Sequence, residues 1–290
     1  MDEQYSTNEI QDNMSEGTFL RFSAFVQSEL GIKMPPVKKI MLQTRLSKRL
    51  RKLGLRTFDE YYDFVFGREG KNELQNMIDA VTTNKTDFFR EPNHFRYLVK
   101  QVLPEFMNTG SSFKRKLMVW SAGCSTGEEP YTIAMVLKDF SLKYPEFDFS
   151  ILATDLSAHV LKEAHLGIYN EDDVNPVSLE MKQRYLLRSR NRNEMRVRIV
   201  PALRSRVEFR QVNFMDKDYG IRMRKDIIFC RNVIIYFSRS TQETVLNRIC
   251  SYLKKDGYLF MGHSETLNGL NVPLVQVEPN IYKKYESASA

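Results

Sequence analysis

The chain has 290 residues, 42% of them hydrophobic and 27% charged, with a formal net charge of +7, which describes an ordinary globular protein with room for one large domain or two smaller ones. No apolar run reaches the length of a transmembrane helix, and residues 1–16 lack the apolar core of a signal peptide, so we expect neither membrane insertion nor export. The three cysteines have no paired or metal-ligand spacing, which favours the cytoplasm.

The excess positive charge belongs to one segment. Between Gly31 and Phe58 there are nine basic residues and no acidic ones, whereas the rest of the chain has 34 basic residues against 36 acidic ones. The nine are Lys33, Lys38, Lys39, Arg45, Lys48, Arg49, Arg51, Lys52 and Arg56. Such a local excess favours a docking surface over general affinity for polyanions.

The first part of the chain predicts a helical domain behind a tail. Residues 1–16 are polar and without periodicity, which indicates a disordered tail. From residue 17 to residue 90 the apolar residues recur at helical spacing, which predicts a small all-helical N-terminal domain. Pro35 and Pro36 separate its first two helices, and Gly54 ends the second, which spans residues 38–53.

On a helical wheel, five basic residues fall within a sector of roughly 60° beside the leucines of this second helix, provided that the helix extends as far as Arg56. They are Lys38, Arg45, Arg49, Lys52 and Arg56. One interpretation is a solvated outer face. The other is a stripe that binds an acidic partner, because no Asp or Glu is interspersed to form i,i+4 pairs.

The second part of the chain alternates strands with helices. A linker helix is expected within residues 91–112, and residues 113–290 then predict a doubly wound, Rossmann-like α/β domain. The predicted strands are 117–120, 149–155, 206–212, 226–232 and 257–262, with a possible antiparallel pair in 274–285. Residues 167–205 interrupt the alternation with a short helix and an alternating run, which predicts an inserted antiparallel β-subdomain.

The first strand, Leu117–Trp120, leads through the loop Gly123–Gly127 into a helix that begins near Glu128. Ligands of open α/β sheets bind at such joints, outside the carboxyl ends of the strands. The loop spells G-x-S-x-G, the nucleophile elbow of serine hydrolases, for which Asp226 and His263 would complete a triad. No earlier strand supplies an oxyanion loop, which disfavours this interpretation.

A nucleotide-like ligand at the same loop can be of two kinds. A dinucleotide fits poorly because the loop lacks G-x-G-x-x-G. An adenosyl ligand without phosphates, chiefly S-adenosylmethionine, fits better, since Asp155 ends the second strand and a carboxylate can accept from both ribose hydroxyls. Asp155 would otherwise serve as the N-cap of the next helix. Glu128 suits an ammonium group or the helix dipole, and Asn213 and Asn232 suit an adenine edge or a turn.

Five segments resemble the motifs of the CheR family of chemoreceptor glutamate methyltransferases, in the family's order. They are 82–90 (TTNKTDFFR), 120–131 (WSAGCSTGEEPY), 153–156 (ATDL), 229–237 (FCRNVIIYF) and 262–265 (GHSE). The resemblance covers nearly the whole chain after residue 17, and five motifs in register are far more specific than one glycine loop.

The resemblance implies transfer of a methyl group from S-adenosylmethionine to glutamate side chains on the cytoplasmic helical bundle of chemoreceptors, without a metal. The donor site would be lined by Asn84, Thr86, Arg90, Glu128, Asp155, Asn213, Phe214, Asn232 and Val233. Arg90 and Tyr236 would lie nearest the transferred methyl group. The receptor would contact the basic second helix at Arg45, Lys48, Arg49 and Arg51.

One segment departs from the family pattern. Relatives that tether to the C-terminal pentapeptide of a receptor have a glycine-rich loop in the insertion, whereas residues 188–195 contain no glycine. We therefore expect no such tether. An RNA methyltransferase is the alternative function, but it would need a wider basic surface than one helix supplies, so we expect no nucleic-acid partner.

Overall fold

The computed structural model describes residues 13–108 and 115–285. Residues 1–12 of the expected tail and residues 109–112 of the expected linker lie outside the described residues. Contacts divide the chain into two compact units. The first holds the described residues up to Thr83 together with Tyr236–Ser238, and the second holds Asn84–Ile235 and the described residues from Arg239 on. None of the helices in the described ranges is long and apolar enough to cross a membrane.

The elements follow one another in two groups. The α-helices are α1 (Glu16–Leu30), α2 (Lys39–Leu53), α3 (Phe58–Phe66), α4 (Lys71–Val81), α5 (Pro92–Tyr97), α6 (Leu103–Asn108), α7 (Glu128–Lys143), α8 (Ala158–Leu166), α9 (Leu179–Tyr185), α10 (Pro201–Arg204) and α11 (Arg239–Ser251). The strands are β1 (Leu117–Ala122), β2 (Phe149–Asp155), β3 (Ile168–Asn170), β4 (Leu186–Arg188), β5 (Arg196–Ile199), β6 (Val207–Gln211), β7 (Lys225–Cys230), β8 (Leu253–Met261), β9 (Leu274–Glu278) and β10 (Ile281–Lys284). A π-helical turn, Leu98–Val102, joins α5 to α6.

Local signals in the sequence set the ends of the helices in the first unit. Ser15 caps α1, and its hydroxyl accepts the N–H of Thr18. Gly54 ends α2 in the left-handed conformation, as its position predicted. Thr57 and Glu60 form a reciprocal capping box at the start of α3. Apolar side chains of these helices make the buried core, among them Phe19, Phe22, Leu42, Leu46, Leu50, Tyr61 and Met77.

Arg49 and Arg45 on α2 have partners within this unit. Arg49 donates to both carboxylate oxygens of Glu73 on α4, at 2.8 and 2.6 Å, and Tyr61 donates to the same carboxylate at 2.8 Å. Arg45 donates to the carbonyl of Val81 at 2.6 Å. The acidic partner that the charge pattern indicated for Arg49 is therefore Glu73 of the same unit. Arg49 thus pairs with an acid of its own unit, whereas the charge pattern predicted either a solvated outer face or a stripe that binds an acidic partner.

Other basic side chains of α2 keep their charge at the surface. Lys48, Arg51 and Lys52 are exposed, and so is Arg56 just beyond the helix. Binding of a receptor by Arg45, Lys48, Arg49 and Arg51 stays a prediction, and the exposed members are the ones whose charge is available to it.

The predicted doubly wound α/β fold is confirmed. The main sheet has the order β6-β2-β1-β7-β8-β10-β9, in which β10 runs antiparallel to both of its neighbours. The strands from β6 to β8 are parallel. The chain moves outward from β1 through β2 to β6 and then returns to β7 on the other side, so the topological switch point lies between β1 and β7. The inserted segment forms a separate antiparallel sheet of order β3-β5-β4.

One boundary differs from its prediction. The helix expected over residues 239–254 ends at Ser251, and β8 already begins at Leu253, four residues before Gly257. Leu253 is fully buried and pairs with Lys225 across a register shift. A buried leucine is compatible with the end of a helix and with the start of a strand. The apolar periodicity therefore did not show where the helix ends and β8 begins.

Replacing Arg49 with Met tests whether this arginine stabilises the helical unit. The change leaves the buried Glu73 carboxylate without its cation, so we expect the free energy of unfolding to fall by about 3 kcal/mol. Urea titration followed by far-UV circular dichroism measures the effect. The control Lys48→Met, one position earlier and exposed, should change it by less than about 0.5 kcal/mol. Equal effects of the two changes would contradict the assignment.

Candidate active site

The loop after β1 depends on two glycines. Gly123 and Gly127 have φ of +85° and +98°, which side chains rarely tolerate. A Cβ atom on Gly123 would lie 2.4 Å from Cγ2 of Val233, and one on Gly127 would lie 2.9 Å from the Tyr169 hydroxyl. The loop is therefore packed from both sides, and its backbone passes close to the carboxyl ends of β1 and β7.

Asp155 ties this loop to the end of β2. The N–H of Ser125, a residue with φ of +48°, donates to Asp155 Oδ2 at 2.8 Å. The N–H of Ser157 donates to Asp155 Oδ1 at 3.0 Å. Ser157, not Asp155, is the N-cap of α8, so the capping role considered for Asp155 is wrong. The Ser125 hydroxyl donates to the carbonyl of Asn84 at 2.7 Å, which brings a third segment to the loop.

The serine-hydrolase triad is not assembled. Asp226 accepts the N–H of Met118 at 2.9 Å near the start of β1, whereas Ser125 follows the end of that strand. The carboxylate of Asp226 also pairs with Lys254 at 2.9 Å. Ser125 and Asp226 thus lie at opposite ends of β1, and the interpretation of the G-x-S-x-G pattern as a nucleophile elbow is wrong.

Glu128 is a buried carboxylate in acidic surroundings. It begins α7, is 8% exposed and accepts from the Thr126 hydroxyl at 2.7 Å. Burial raises its pKa, and the negative charges of Asp173 and Asp87 raise it further. A cationic group bound beside Glu128 would relieve this unfavourable electrostatic environment.

Arg231 is a functional candidate that the sequence analysis did not single out. Its buried guanidinium donates to Glu129 at 3.1 Å and to Glu91 at 3.1 Å, and also to the carbonyl of Arg90. Glu129 in turn accepts from Ser121 at 2.7 Å. One cation thus joins the end of β7, the first turn of α7 and the segment that contains Arg90. The arginine lies inside the FCRN motif, but its acidic partners are 102 and 140 residues away.

Glu265 holds the loop that follows β7. Its carboxylate accepts the backbone N–H groups of Asn232, Val233, Ile234 and Gly262, at 2.9, 2.8, 2.9 and 2.6 Å. Burial raises the pKa of this carboxyl group, and the four N–H donors oppose that shift. Asn232, with φ of +59°, is thereby fixed beside the carboxyl end of β7.

The other residues predicted for the site have these positions. Asn84, Thr86, Arg90, Asn213, Asn232 and Val233 are half-buried, whereas Glu128, Asp155 and Phe214 are buried. Arg90 donates to the carbonyl of Lys85 at 3.2 Å. Asn213 Oδ1 accepts the N–H of Met215 at 3.0 Å, which is the turn considered as its second possible role, and Phe214 packs on Trp120 with ring centroids 6.4 Å apart.

Tyr236, the second predicted catalytic residue, is grouped with the helical unit. It ends the 3-10 turn Ile234–Tyr236, and its carbonyl accepts the N–H of Lys33 in that unit at 2.8 Å. This backbone hydrogen bond links Tyr236 to the first unit. Its predicted role near the methyl group stays a prediction.

Three side chains form a group with metal-ligand chemistry. Glu91, His94 and His263 each place a ligand atom within 4.8 Å of the others. Glu91, however, already accepts from Arg231 and from the N–H of His263, and a guanidinium beside the carboxylate opposes a second cation. We therefore assign no metal to this group. His94 is 1% exposed, neither ring nitrogen has a hydrogen-bond partner among the described residues, and burial lowers its pKa to about 4.

Comparisons with known proteins converge on one family. Residues 84–282 match the model described as CheR methyltransferase, SAM binding domain, and residues 17–82 match CheR methyltransferase, all-alpha domain. A chemotaxis protein methyltransferase from Borreliella burgdorferi is 39% identical over 277 residues, which cover 94% of this chain and 95% of the relative. Those from Salmonella typhimurium and Escherichia coli are 38% and 37% identical over 257 residues, or 89% of this chain and 86% and 87% of the relatives.

Replacing His94 with Phe tests the buried imidazole. The unfolded histidine titrates near pH 6.5 and the folded one near pH 4, so the unfolded chain binds the proton first. The free energy of unfolding should therefore fall as the pH drops through this window, by roughly 2 kcal/mol between pH 7 and pH 5. Urea titrations at both pH values measure this loss. We expect the free energy of unfolding to fall by about 2 kcal/mol less in His94→Phe than in the parent. The exposed His159→Ala is the control, and an unchanged loss in His94→Phe would refute the assignment.

Proposed function

Because this chain belongs to the CheR methyltransferase family, we propose that it transfers the methyl group of S-adenosylmethionine to glutamate side chains of chemoreceptors. It is an S-adenosylmethionine-dependent methyltransferase, and its products are glutamate methyl esters and S-adenosylhomocysteine. One observation carries the proposal. Asp155 ends β2 with its carboxylate bonded to the Gly123–Gly127 loop, inside the segment that matches the S-adenosylmethionine-binding model.

The chain's own residues fit the donor. A carboxylate has about four acceptor positions, so Asp155 is suited to the two ribose hydroxyls. Glu128, whose pKa is raised by burial and neighbouring acids, is suited to the ammonium of the methionine part. Because Gly123 and Gly127 have no side chains, a ligand can approach the backbone of this loop closely. The further residues proposed to line the donor site are Asn84, Thr86, Arg90, Asn213, Phe214, Asn232 and Val233.

The reaction requires alignment more than acid or base catalysis. When bound, S-adenosylmethionine supplies a methyl group on a positively charged sulfur. The receptor carboxylate attacks that carbon, so a carbon–oxygen bond forms as the carbon–sulfur bond breaks and the opposite charges are neutralised. Exclusion of water and alignment of the two groups therefore accelerate it. A glutamate is ionised near neutral pH, so no general base is needed.

Arg90 is the proposed orienting group. A guanidinium can align the receptor carboxylate through charge-assisted hydrogen bonds. It must not bind the carboxylate too tightly, because the negative charge disappears during the reaction. Arg231 supports this role as a positioning residue, since it binds the Arg90 carbonyl and the neighbouring Glu91. For Tyr236 we propose a positioning hydroxyl.

Labelled S-adenosylmethionine and receptor signalling fragments test the activity. We expect base-labile label, released as methanol, with the parent protein and a loss of at least about a hundredfold in Asp155→Ala, because the ribose would lose its acceptor. Calorimetry with S-adenosylhomocysteine should lose its heat in the same variant. Asp172→Ala, an exposed acid of the insertion, is the control, and thermal unfolding checks that both variants fold. Label in nucleic acid, or no base-labile product with several receptors, would refute the substrate.

Lys48→Ala and Arg51→Ala test the receptor surface. Each removes an exposed charge, so we expect the KM for the receptor fragment to rise about threefold per change while the KM for S-adenosylmethionine stays constant. Initial rates at varied receptor concentration measure this. Arg56→Ala, also basic and exposed but outside the proposed set, is the control. An unchanged receptor KM in both variants would remove α2 from the interface.

The insertion is proposed to work without a receptor tether. Residues 188–195 contain no glycine, unlike the loop of the tethering relatives, and here they form the end of β4, a 3-10 turn and a left-handed Met195. We expect a receptor C-terminal pentapeptide to bind more weakly than about 1 mM in a calorimetric titration. Micromolar binding would overturn the expectation.

A further inference from the structure

A cavity lies at the end of the sheet opposite the candidate active site. Its volume is about 680 Å³, and the residues that line it include Met118 of β1, Ser150 of β2, Val207 of β6 and Lys225 of β7. Each of these is the first or second residue of its strand. Because the four strands are parallel, the cavity is at their amino ends, whereas the Gly123–Gly127 loop follows the carboxyl end of β1.

The cavity exists because one crossover has no helix. A parallel sheet needs cover on both faces. In the described chain the connection between β6 and β7, residues 212–224, contains turns and bends but no helix. Met118 is paired in register with Ser150, so both belong to one face of the sheet, and the segment Gly220–Met223 lines the same cavity. A loop thus covers this part of the face without filling it.

The lining of the cavity is strongly basic. It includes Arg206, Arg210, Arg222 and Lys225, against Glu208 as its one acidic residue. Glu208 pairs with Arg210 at 3.0 Å. Arg206 pairs with Asp148, which is outside the lining. Among the described residues the structure gives Arg222 and the Lys225 ammonium no carboxylate partner.

Lys225 is the most informative of these groups. Its side chain is 5% exposed, and burial, together with the neighbouring charges of Arg210 and Lys254, lowers its pKa. Buried ammonium groups are normally paired with an acid or hydrogen-bonded. Here the side chain instead lines a cavity shared with three arginines. The charges of Glu208 and Asp226 partly offset the penalty of burial, but four basic side chains against one acidic one leave the lining with a net positive charge, which favours an anionic ligand.

We propose that this cavity binds a phosphorylated small molecule of nucleotide size. Lys225 and Arg222 would bind the phosphate, since ammonium and guanidinium groups are the usual hydrogen-bond donors to phosphate oxygens. Apolar side chains of Met118, Leu152 and Ile221 offer a surface for a planar or apolar part. The volume lies within the range of small-molecule sites and exceeds what a lone phosphate needs.

Calorimetry on the full chain, saturated with S-adenosylhomocysteine, tests the proposal. Saturation keeps the probes out of the donor site, so failure here does not bear on methyl transfer. The probes are AMP, GMP and inorganic pyrophosphate. We expect at least one nucleotide to bind with a Kd below about 1 mM, and more tightly than pyrophosphate because of the apolar surface.

Two variants and a control locate the binding. Lys225→Met and Arg222→Ala should each weaken it at least about tenfold, the loss expected for a charged hydrogen bond to phosphate. Lys225→Met replaces a buried charge with an apolar chain of similar length, and Arg222 is exposed, so at least one variant will fold. Lys217→Ala, an exposed lysine of the same crossover outside the lining, should bind like the parent.

Three outcomes would overturn the proposal. The first is no saturable heat with any probe up to about 10 mM. The second is unchanged binding in both Lys225→Met and Arg222→Ala. The third is binding of single-stranded RNA with a steep salt dependence but no binding of AMP or GMP, which would identify a general polyanion surface.

Discussion

The candidate active site depends on one buried cation. The Arg231 guanidinium binds the carboxylates of Glu91 and Glu129 and the carbonyl of Arg90. A charge removed from water is tolerated when hydrogen bonds and opposite charges surround it, and Arg231 has both. Phe89 and Glu91, on either side of Arg90, have positive φ, so this segment follows a backbone path that it would not adopt unaided. Arg231 supplies the compensation that keeps Arg90 in place.

Charge is distributed oppositely at the two ends of the parallel strands. At the carboxyl ends lie Asp155 and Glu128, which suit a cationic methyl donor, whereas Glu129 is already paired with Arg231. At the amino ends lie Lys225 and Arg206 in a basic cavity. The proposed methyl donor carries a positive charge on its sulfur and the proposed phosphorylated ligand a negative charge, so each suits the groups at the end proposed for it.

Much of the fold and part of the site follow from the sequence. Alternation of apolar runs with helical periodicity predicts the parallel sheet, and the end of each strand places Asp155 and Asn232 at its carboxyl edge. Hydrogen bonds and ion pairs between side chains that are far apart in the sequence were not predictable. Arg49 looked available for an outside partner because Glu73 is on a different helix, and periodicity says nothing of which helices meet. Lys225 stands one residue before the predicted strand 226–232, and nothing in the sequence pattern indicated that it is buried.

The Glu265 carboxylate gives the site a further property. It accepts four backbone N–H groups from two loops, one after β7 and the other after β8. Neither loop can detach alone without leaving a buried carboxylate short of donors. The two loops are therefore coupled in energy, because loss of the Gly262 N–H bond after β8 weakens the carboxylate that also holds the backbone of Asn232 and Val233.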